Sequence, residues 1–323
     1  MTGPEQFCEV GRGIRLCYRT HGDPSAEPLL LIMGLGQQLN SWPVAFCDAL
    51  AARGHYVVRF DNRDIGRSSR SPYPPPTNLQ LAVRRFPATQ YTLADMAEDT
   101  AGLIQGLGLD SMHVVGASMG GMIGQTLAAR NPKRVRTLTS IISTTGAARV
   151  GRPALSTWRR MAMPPPKDKE RWLDRAVDMW RHIASHGFPF DEAQVRAVAR
   201  ESWERGGGPE LRAGAARQLA AILKSGDRTS ELHAITAPTL VIHGDRDRMV
   251  HPSGARATAN AIPGARLHTI RGMGHDLPVG AWPELIDLIT QHTLGAPSGG
   301  LTPSTAQADT MPAPTPPLQT SAP

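Results

Sequence analysis

Hydrophobic positions along the 323-residue chain form short unbroken runs that alternate with longer repeats of helical spacing. The run Leu29-Leu30-Leu31-Ile32-Met33 has no polar break and stops at Gly34-Leu35-Gly36, which predicts a strand buried on both faces that feeds a tight loop. His55 to Phe60 predicts a second strand, ended by the polar segment 61–68; the proline-rich stretch Pro72 to Pro76 then has to be a surface connection. Leu93, Met96, Ala97, Thr100, Leu103, Ile104 and Leu107 recur at helical spacing, with Thr92 as N-cap and Asp95 placed to close a capping box. Met112 to Val115 predicts a strand, Met119 to Arg130 a helix stopped by Asn131-Pro132, and Val135 to Ile142 another strand. Strands that alternate with helices imply an α/β fold with a mostly parallel central sheet flanked by helices.

From about Gly146 to His233 the pattern becomes helical, with Pro and Gly breaks, and four of the six tryptophans (Trp158, Trp172, Trp180, Trp203) fall there. Strands resume at Pro238 to His243 and Ala265 to Ile270, and Trp282 to His292 predicts a closing helix. The expected organisation is therefore a core in two parts, 1–145 and 234–295, with a helical cap, 146–233, inserted between sheet strands. Residues 296–323 are built of Pro, Ala, Thr and Ser, too poor in apolar side chains to offset their ordering entropy, so a disordered tail is expected. The Trp, Met and Leu content of the cap fits an apolar pocket for a bulky or aliphatic substrate, and fits ordinary helix packing equally well.

Composition narrows the function classes. No run of about 18 apolar residues is present, which argues against a membrane span. Met1 to Val10 carries Glu5 and Glu9 and no basic start followed by an apolar block, so no secretory signal is read and a cytoplasmic location is expected. The three cysteines, Cys8, Cys17 and Cys47, are odd in number, with no CxxC spacing and no histidine cluster beside them, which favours neither a disulfide framework nor zinc. The formal charge of +7 comes mainly from scattered arginines rather than a basic block interleaved with aromatics, so nucleic acid is not an expected partner.

Gly116-Ala117-Ser118-Met119-Gly120 fits G-x-S-x-G between a predicted strand and a predicted helix, the context that gives this common pattern meaning. A serine on such a strained turn has its hydroxyl lifted off the sheet, and glycine is needed two residues before and after it because a side chain there would strike neighbouring backbone. Taken alone the segment also fits a strand-to-helix turn with a capping serine. A serine hydroxyl is a weak nucleophile at neutral pH, so the chemistry requires a base and an orienting carboxylate. Both follow in the order Ser, acid, His: Gly244-Asp245-Arg246-Asp247 after one predicted strand and Gly272-Met273-Gly274-His275-Asp276 after the last. Each lies past the C-terminal end of a parallel strand, the edge where open α/β sheets place their ligands. His243, at a strand end, and His251, opening a helix, read as structural. Acyl transfer also needs donors for the oxyanion. The candidates are the backbone amides of Met119, after the nucleophile, and Leu35, after the early strand, with Gly36 as the substitute for Leu35.

Together, Leu31-Ile32-Met33-Gly34-Leu35-Gly36, Asp61-Asn62-Arg63-Asp64-Ile65-Gly66-Arg67-Ser68, Gly116 to Gly121, His243 to Asp247 and Gly272 to His275 resemble the α/β-hydrolase superfamily over about Arg12 to Thr293. The Met-Gly oxyanion loop, the Asn-Arg-Asp-x-Gly-Arg-Ser loop and the Gly-Met-Gly-His-Asp-Leu-Pro ending are most similar to the aclacinomycin methylesterase-like esterases, which cleave a methyl ester on a polycyclic substrate. The resemblance implies that Ser118 attacks, His275 serves as base and Asp247, the third residue after the strand-ending glycine, is the acid. Epoxide hydrolases of the superfamily carry an aspartate where Ser118 stands, which argues against that branch. The expected activity is hydrolysis of a small-molecule apolar ester with neither metal nor organic cofactor. The same triad also suits a lactone or an activated C–C bond, and a ligand receptor that keeps the fold without turnover is the reading from outside enzymology. The sequence does not specify an oligomeric state.

Overall fold

The structure is a computed structural model that describes residues 3–163, 166, 168–206, 208 and 210–295; the expected tail, 296–323, lies outside the described residues. Eight strands form one sheet: β1 (Gln6–Glu9), β2 (Arg15–His21), β3 (Glu27–Ile32), β4 (His55–Phe60), β5 (Met112–Ala117), β6 (Val135–Ile141), β7 (Thr239–Gly244) and β8 (Arg266–Ile270). Their order is β1-β2-β4-β3-β5-β6-β7-β8. The first two pairings, β1 with β2 and β2 with β4, are antiparallel; every other pairing is parallel. The chain leaves β3 for β4 on one side and returns to β5 on the other. That reversal opens a crevice at the C-terminal ends of β3 and β5, where a sheet of this kind binds its ligand.

The described helices are α1 (Val44–Ala52), α2 (Asn78–Val83), α3 (Leu93–Gly106), α4 (Met119–Arg130), α5 (Leu155–Ala162), α6 (Lys169–Ile183), α7 (Glu192–Gly206), α8 (Glu210–Ser225), α9 (Thr229–Leu232), α10 (Ser253–Ala261) and α11 (Trp282–Leu294). Alternation along β3 divides the core in two. Leu30 and Ile32 pack with Met96, Ile104, Ile123 and Leu127 of α3 and α4, whereas Leu29 and Leu31 pack with Phe46, Leu50, Leu285 and Ile289 of α1 and α11. Both faces of β3 are thus covered, as its unbroken apolar run predicts, and each such leucine taken out of water contributes about 1.5–3 kcal/mol. The capping box of α3 forms as expected: Thr92 Oγ1 accepts from Asp95 N at 3.3 Å, and Asp95 Oδ2 accepts from Thr92 N at 2.8 Å. No described helix is long and apolar enough to cross a membrane.

Helices α5 to α9 lie between β6 and β7 in sequence. Trp172 and Trp203 pack on each other, ring centroids 5.2 Å apart, and join α6 to α7, so two of the four tryptophans serve helix packing. Trp158 is exposed. Leu232 of α9 is buried with Ile123 and Leu127 of α4, in the sheet's own core. Two buried ion pairs fasten this helical segment to the 61–68 loop. Arg205 of α7 meets Asp61 at 3.0 Å, and Arg217 of α8 donates twice to Asp64, at 2.9 and 2.7 Å.

Candidate active site

Ser118 stands between β5 and α4 with φ 55° and ψ −118°, a backbone region that costs an L-residue on the order of 1–3 kcal/mol. The turn keeps this conformation because the segment on either side has no room to relax: a Cβ on Gly116 would strike the Gly120 carbonyl, and a Cβ on Gly120 the Ile32 carbonyl. Ser118 N donates to Ile141 O at 2.9 Å, and Ser143 Oγ donates to Ser118 O at 2.8 Å, which ties the elbow to β6 and the residues after it. The capping-serine alternative does not hold, since Ser118 makes no side-chain cap bond to α4.

The hydroxyl points instead at His275, with Oγ 3.0 Å from Nε2. On the far side of the ring, Nδ1 lies 2.7 Å from Asp247 Oδ2. An ionised carboxylate only accepts, so Nδ1 carries the imidazole proton, Nε2 is the free base, and the Ser118 hydroxyl donates to it. Asp247 is almost fully buried. Burial pushes its carboxyl up, but His275, hydrogen-bonded to it, and the nearby His243 outweigh that and hold it well below the usual carboxylate range. Its other oxygen, Oδ1, accepts from Met249 N and Val250 N at 2.8 Å each. His243 comes within 3.3 Å of Asp247 Oδ2 while its Nε2 donates to Val250 O at 2.8 Å. It therefore buttresses the acid, which its strand-end position did not reveal. Asp245 instead accepts from Gly272 N at 2.6 Å.

The His275 loop is also held from the helical segment. His275 N donates to Ile183 O at 2.8 Å, Gly274 N to Ser185 Oγ at 2.8 Å, and Ser185 N to Asp276 Oδ1 at 2.9 Å. None of these long-range partners has a sequence signal of its own.

Met119 opens α4, so its amide is one of the helix's unpaired N-terminal donors, where the helix dipole favours negative charge. Gly34 lies against Ser118: a Cβ built on it would sit 3.1 Å from Ser118 Cβ, so the loop that carries Leu35 starts beside that serine. Neither the Leu35 nor the Met119 amide donates to a protein acceptor among the described residues. The Gly36 amide does, to Gln218 Oε1 at 2.9 Å, so it is unavailable as the substitute donor. The loop after β4 supports this arrangement from below. Asp61 accepts from Leu39 N at 2.7 Å and from Arg67 N at 3.0 Å, and Asn62 Nδ2 donates to Met33 O at 3.1 Å.

A serine, a histidine and an aspartate thus lie in contact at the C-terminal ends of β5, β8 and β7, beside two unspent amides. The chain belongs to the α/β-hydrolase family: residues 27–279 match the family described as alpha/beta hydrolase fold. It is 34% identical over 294 residues to rhodomycin D methylesterase DnrP of Streptomyces peucetius, covering 85% of this chain and 93% of that protein. The methylesterase agrees with the resemblance read from the sequence. The 2-hydroxymuconate semialdehyde hydrolase of Pseudomonas putida is 27% identical over 288 residues, covering 85% of this chain and 91% of its own. Among solved structures, the enol-lactonase from Burkholderia xenovorans has a TM-score of 0.65 at 25% identity, over 90% of this chain and 98% of that one.

Proposed function

We propose that this chain, a carboxylic ester hydrolase of the α/β-hydrolase family, cleaves a small apolar ester through an acyl-enzyme on Ser118, with the methyl ester of a bulky substrate as the favoured bond. The observation that carries the reading is the unbroken relay from Ser118 Oγ to His275 Nε2 at 3.0 Å and from His275 Nδ1 to Asp247 Oδ2 at 2.7 Å. Ser118 Oγ attacks the ester carbonyl while its proton passes to His275 Nε2. The carbonyl oxygen becomes an oxyanion facing the Leu35 and Met119 amides. Collapse breaks the C–O bond to the alcohol, which leaves with the proton from His275, and water then attacks the acyl group by the same relay to release the acid and restore Ser118. Asp247 stays ionised throughout and stabilises the imidazolium. The helical segment acts as a cap over this crevice, a role supported by the hydrogen bonds that Ile183 of α6, Ser185 just after it and Gln218 of α8 accept from the His275 loop and the loop after β3. The methyl-ester preference is supported by the similarity to rhodomycin D methylesterase.

Turnover of p-nitrophenyl esters of graded chain length by the wild-type protein and by Ser118→Ala tests the reading. Wild-type hydrolysis that disappears in a folded Ser118→Ala protein supports it; undiminished hydrolysis by the variant refutes it. The similarities to an enol-lactonase and a semialdehyde hydrolase favour one second reading, in which the same relay opens a lactone or an activated C–C bond. A wild-type protein that turns over such substrates but none of the esters would select it.

A further inference from the structure

We infer that Gln218, a residue of α8, positions the oxyanion loop: its carboxamide accepts from the Gly36 amide and donates to the Arg63 carbonyl, and so keeps the Leu35 amide aimed at the reaction centre. The inference rests on the ester-hydrolase reading above. Gln218 is fully buried, and both ends of its carboxamide are spent, Oε1 accepting from Gly36 N at 2.9 Å and Nε2 donating to Arg63 O at 2.9 Å. Those two partners fix which way round the amide sits, because an oxygen cannot donate to a carbonyl and an NH2 cannot accept from an N–H.

The loop needs such a clamp. Leu35 lies between two glycines, and Gly36 takes φ 70°, so the peptide planes on either side of Leu35 have little steric restraint of their own. With Gly36 N tied to α8, one amide of the loop is withdrawn and the neighbouring one is left facing the nucleophile. The clamp is itself anchored. Arg63 holds Asp99 with two hydrogen bonds at 2.5 and 2.6 Å, and Arg217, the residue before Gln218, holds Asp64. A donor released from its place stops contributing where charge develops, although the ground-state substrate binds almost as before.

The test uses the full chain and p-nitrophenyl butyrate. Gln218→Met keeps the volume and removes both hydrogen bonds. It is expected to lower kcat by about tenfold or more, to change KM by less than about threefold, and to weaken a trifluoromethyl ketone, whose tetrahedral adduct places an oxyanion at the same donors, in proportion to kcat. Gln218→Glu supplies the signature that a merely structural role would not give. As a neutral acid the new side chain accepts from Gly36 and donates to Arg63, but as a carboxylate it cannot donate. The activity of Gln218→Glu relative to wild type therefore falls as pH rises, whereas that of Gln218→Met stays low at every pH. Ketone affinity and kcat within twofold of wild type in Gln218→Met would overturn the inference, whatever happens to its melting temperature. So would a Gln218→Glu protein whose kcat and ketone affinity stay within twofold of wild type at a pH where the new carboxyl is ionised, which decides the matter should Gln218→Met not fold. A wild-type protein without esterase turnover in the same assay would instead overturn the ester reading, and this inference with it.

Discussion

Asp247→Asn should abolish most of the turnover for a reason the surroundings of the side chain dictate. Asp247 Oδ1 is claimed by the Met249 and Val250 amides, at 2.8 Å each, and Oδ2 faces His275 Nδ1 at 2.7 Å. In the asparagine the carboxamide oxygen has to take the place of Oδ1, since an NH2 there would meet two N–H donors. Its NH2 group then replaces Oδ2, opposite His275 Nδ1 and 3.3 Å from the Nε2 of His243. The imidazole is forced to accept at Nδ1 and to carry its proton on Nε2, toward Ser118, where it can no longer act as a base. A wrong tautomer and an unstabilised imidazolium together lower kcat by about 10³ to 10⁴, a barrier increase of roughly 4–5.5 kcal/mol. Asp245→Asn is the control. Its oxygen still accepts from Gly272 N, and the side chain is 35% exposed, so kcat should fall by less than about tenfold. Purified variants assayed on one short-chain ester, with melting temperature as a check on folding, decide it. A loss at Asp245 as large as that at Asp247, or an Asp247→Asn protein within tenfold of wild type, would refute the reasoning.

Replacing Arg217 with Met leaves Asp64 buried without its bidentate partner and should cost about 3–5 kcal/mol, read as a lower midpoint in urea; a change below 1 kcal/mol would contradict that ion pair's role. Acid should destabilise the fold through His113, whose pKa is lowered to about 4 by burial and by the nearby Arg136. The unfolded chain then takes up the proton first, so the contribution of up to about 3 kcal/mol is complete above pH ~6.5 and drains away as pH falls toward 4. His113→Gln should show a shallower fall in melting temperature over that interval than wild type, and an identical fall would rule the histidine out.

Much of the site could be read from residue order because its determinants are local. The run Leu29 to Met33 declares a strand covered on both faces, and the glycines around Ser118 answer to backbone contacts within the same turn and the adjoining strand. The spacing from Gly244 separates Asp247, which reaches His275, from Asp245, which reaches Gly272. The hairpin of β1 and β2 was not legible. Arg15, Arg19, Thr20 and His21 break the apolar pattern of β2, yet the strand holds through its pairing with β4, and Arg19 is matched by Glu5, just ahead of β1. The helices α1 and α2 were missed as well; α2 has six residues and buries none of them. Least legible were the pairings between the helical segment and the core. Arg205 with Asp61, Arg217 with Asp64 and Gln218 with Gly36 join residues 144, 153 and 182 positions apart, and no periodicity carries information over such separations. The 61–68 motif served the sequence as a mark of resemblance; in the fold it is the bracket that receives those arginines.

The central claim is a covalent acyl group on Ser118, and trapping it is the most direct measurement. Wild-type protein mixed with p-nitrophenyl butyrate, quenched in acid during turnover and digested, should yield one peptide containing Ser118 heavier by a butyryl group, absent from Ser118→Ala and more abundant in Asp247→Asn if that change slows deacylation more than acylation. Turnover of the ester by wild-type protein with the acyl group on another residue, or with the modified peptide undiminished in Ser118→Ala, would contradict the account.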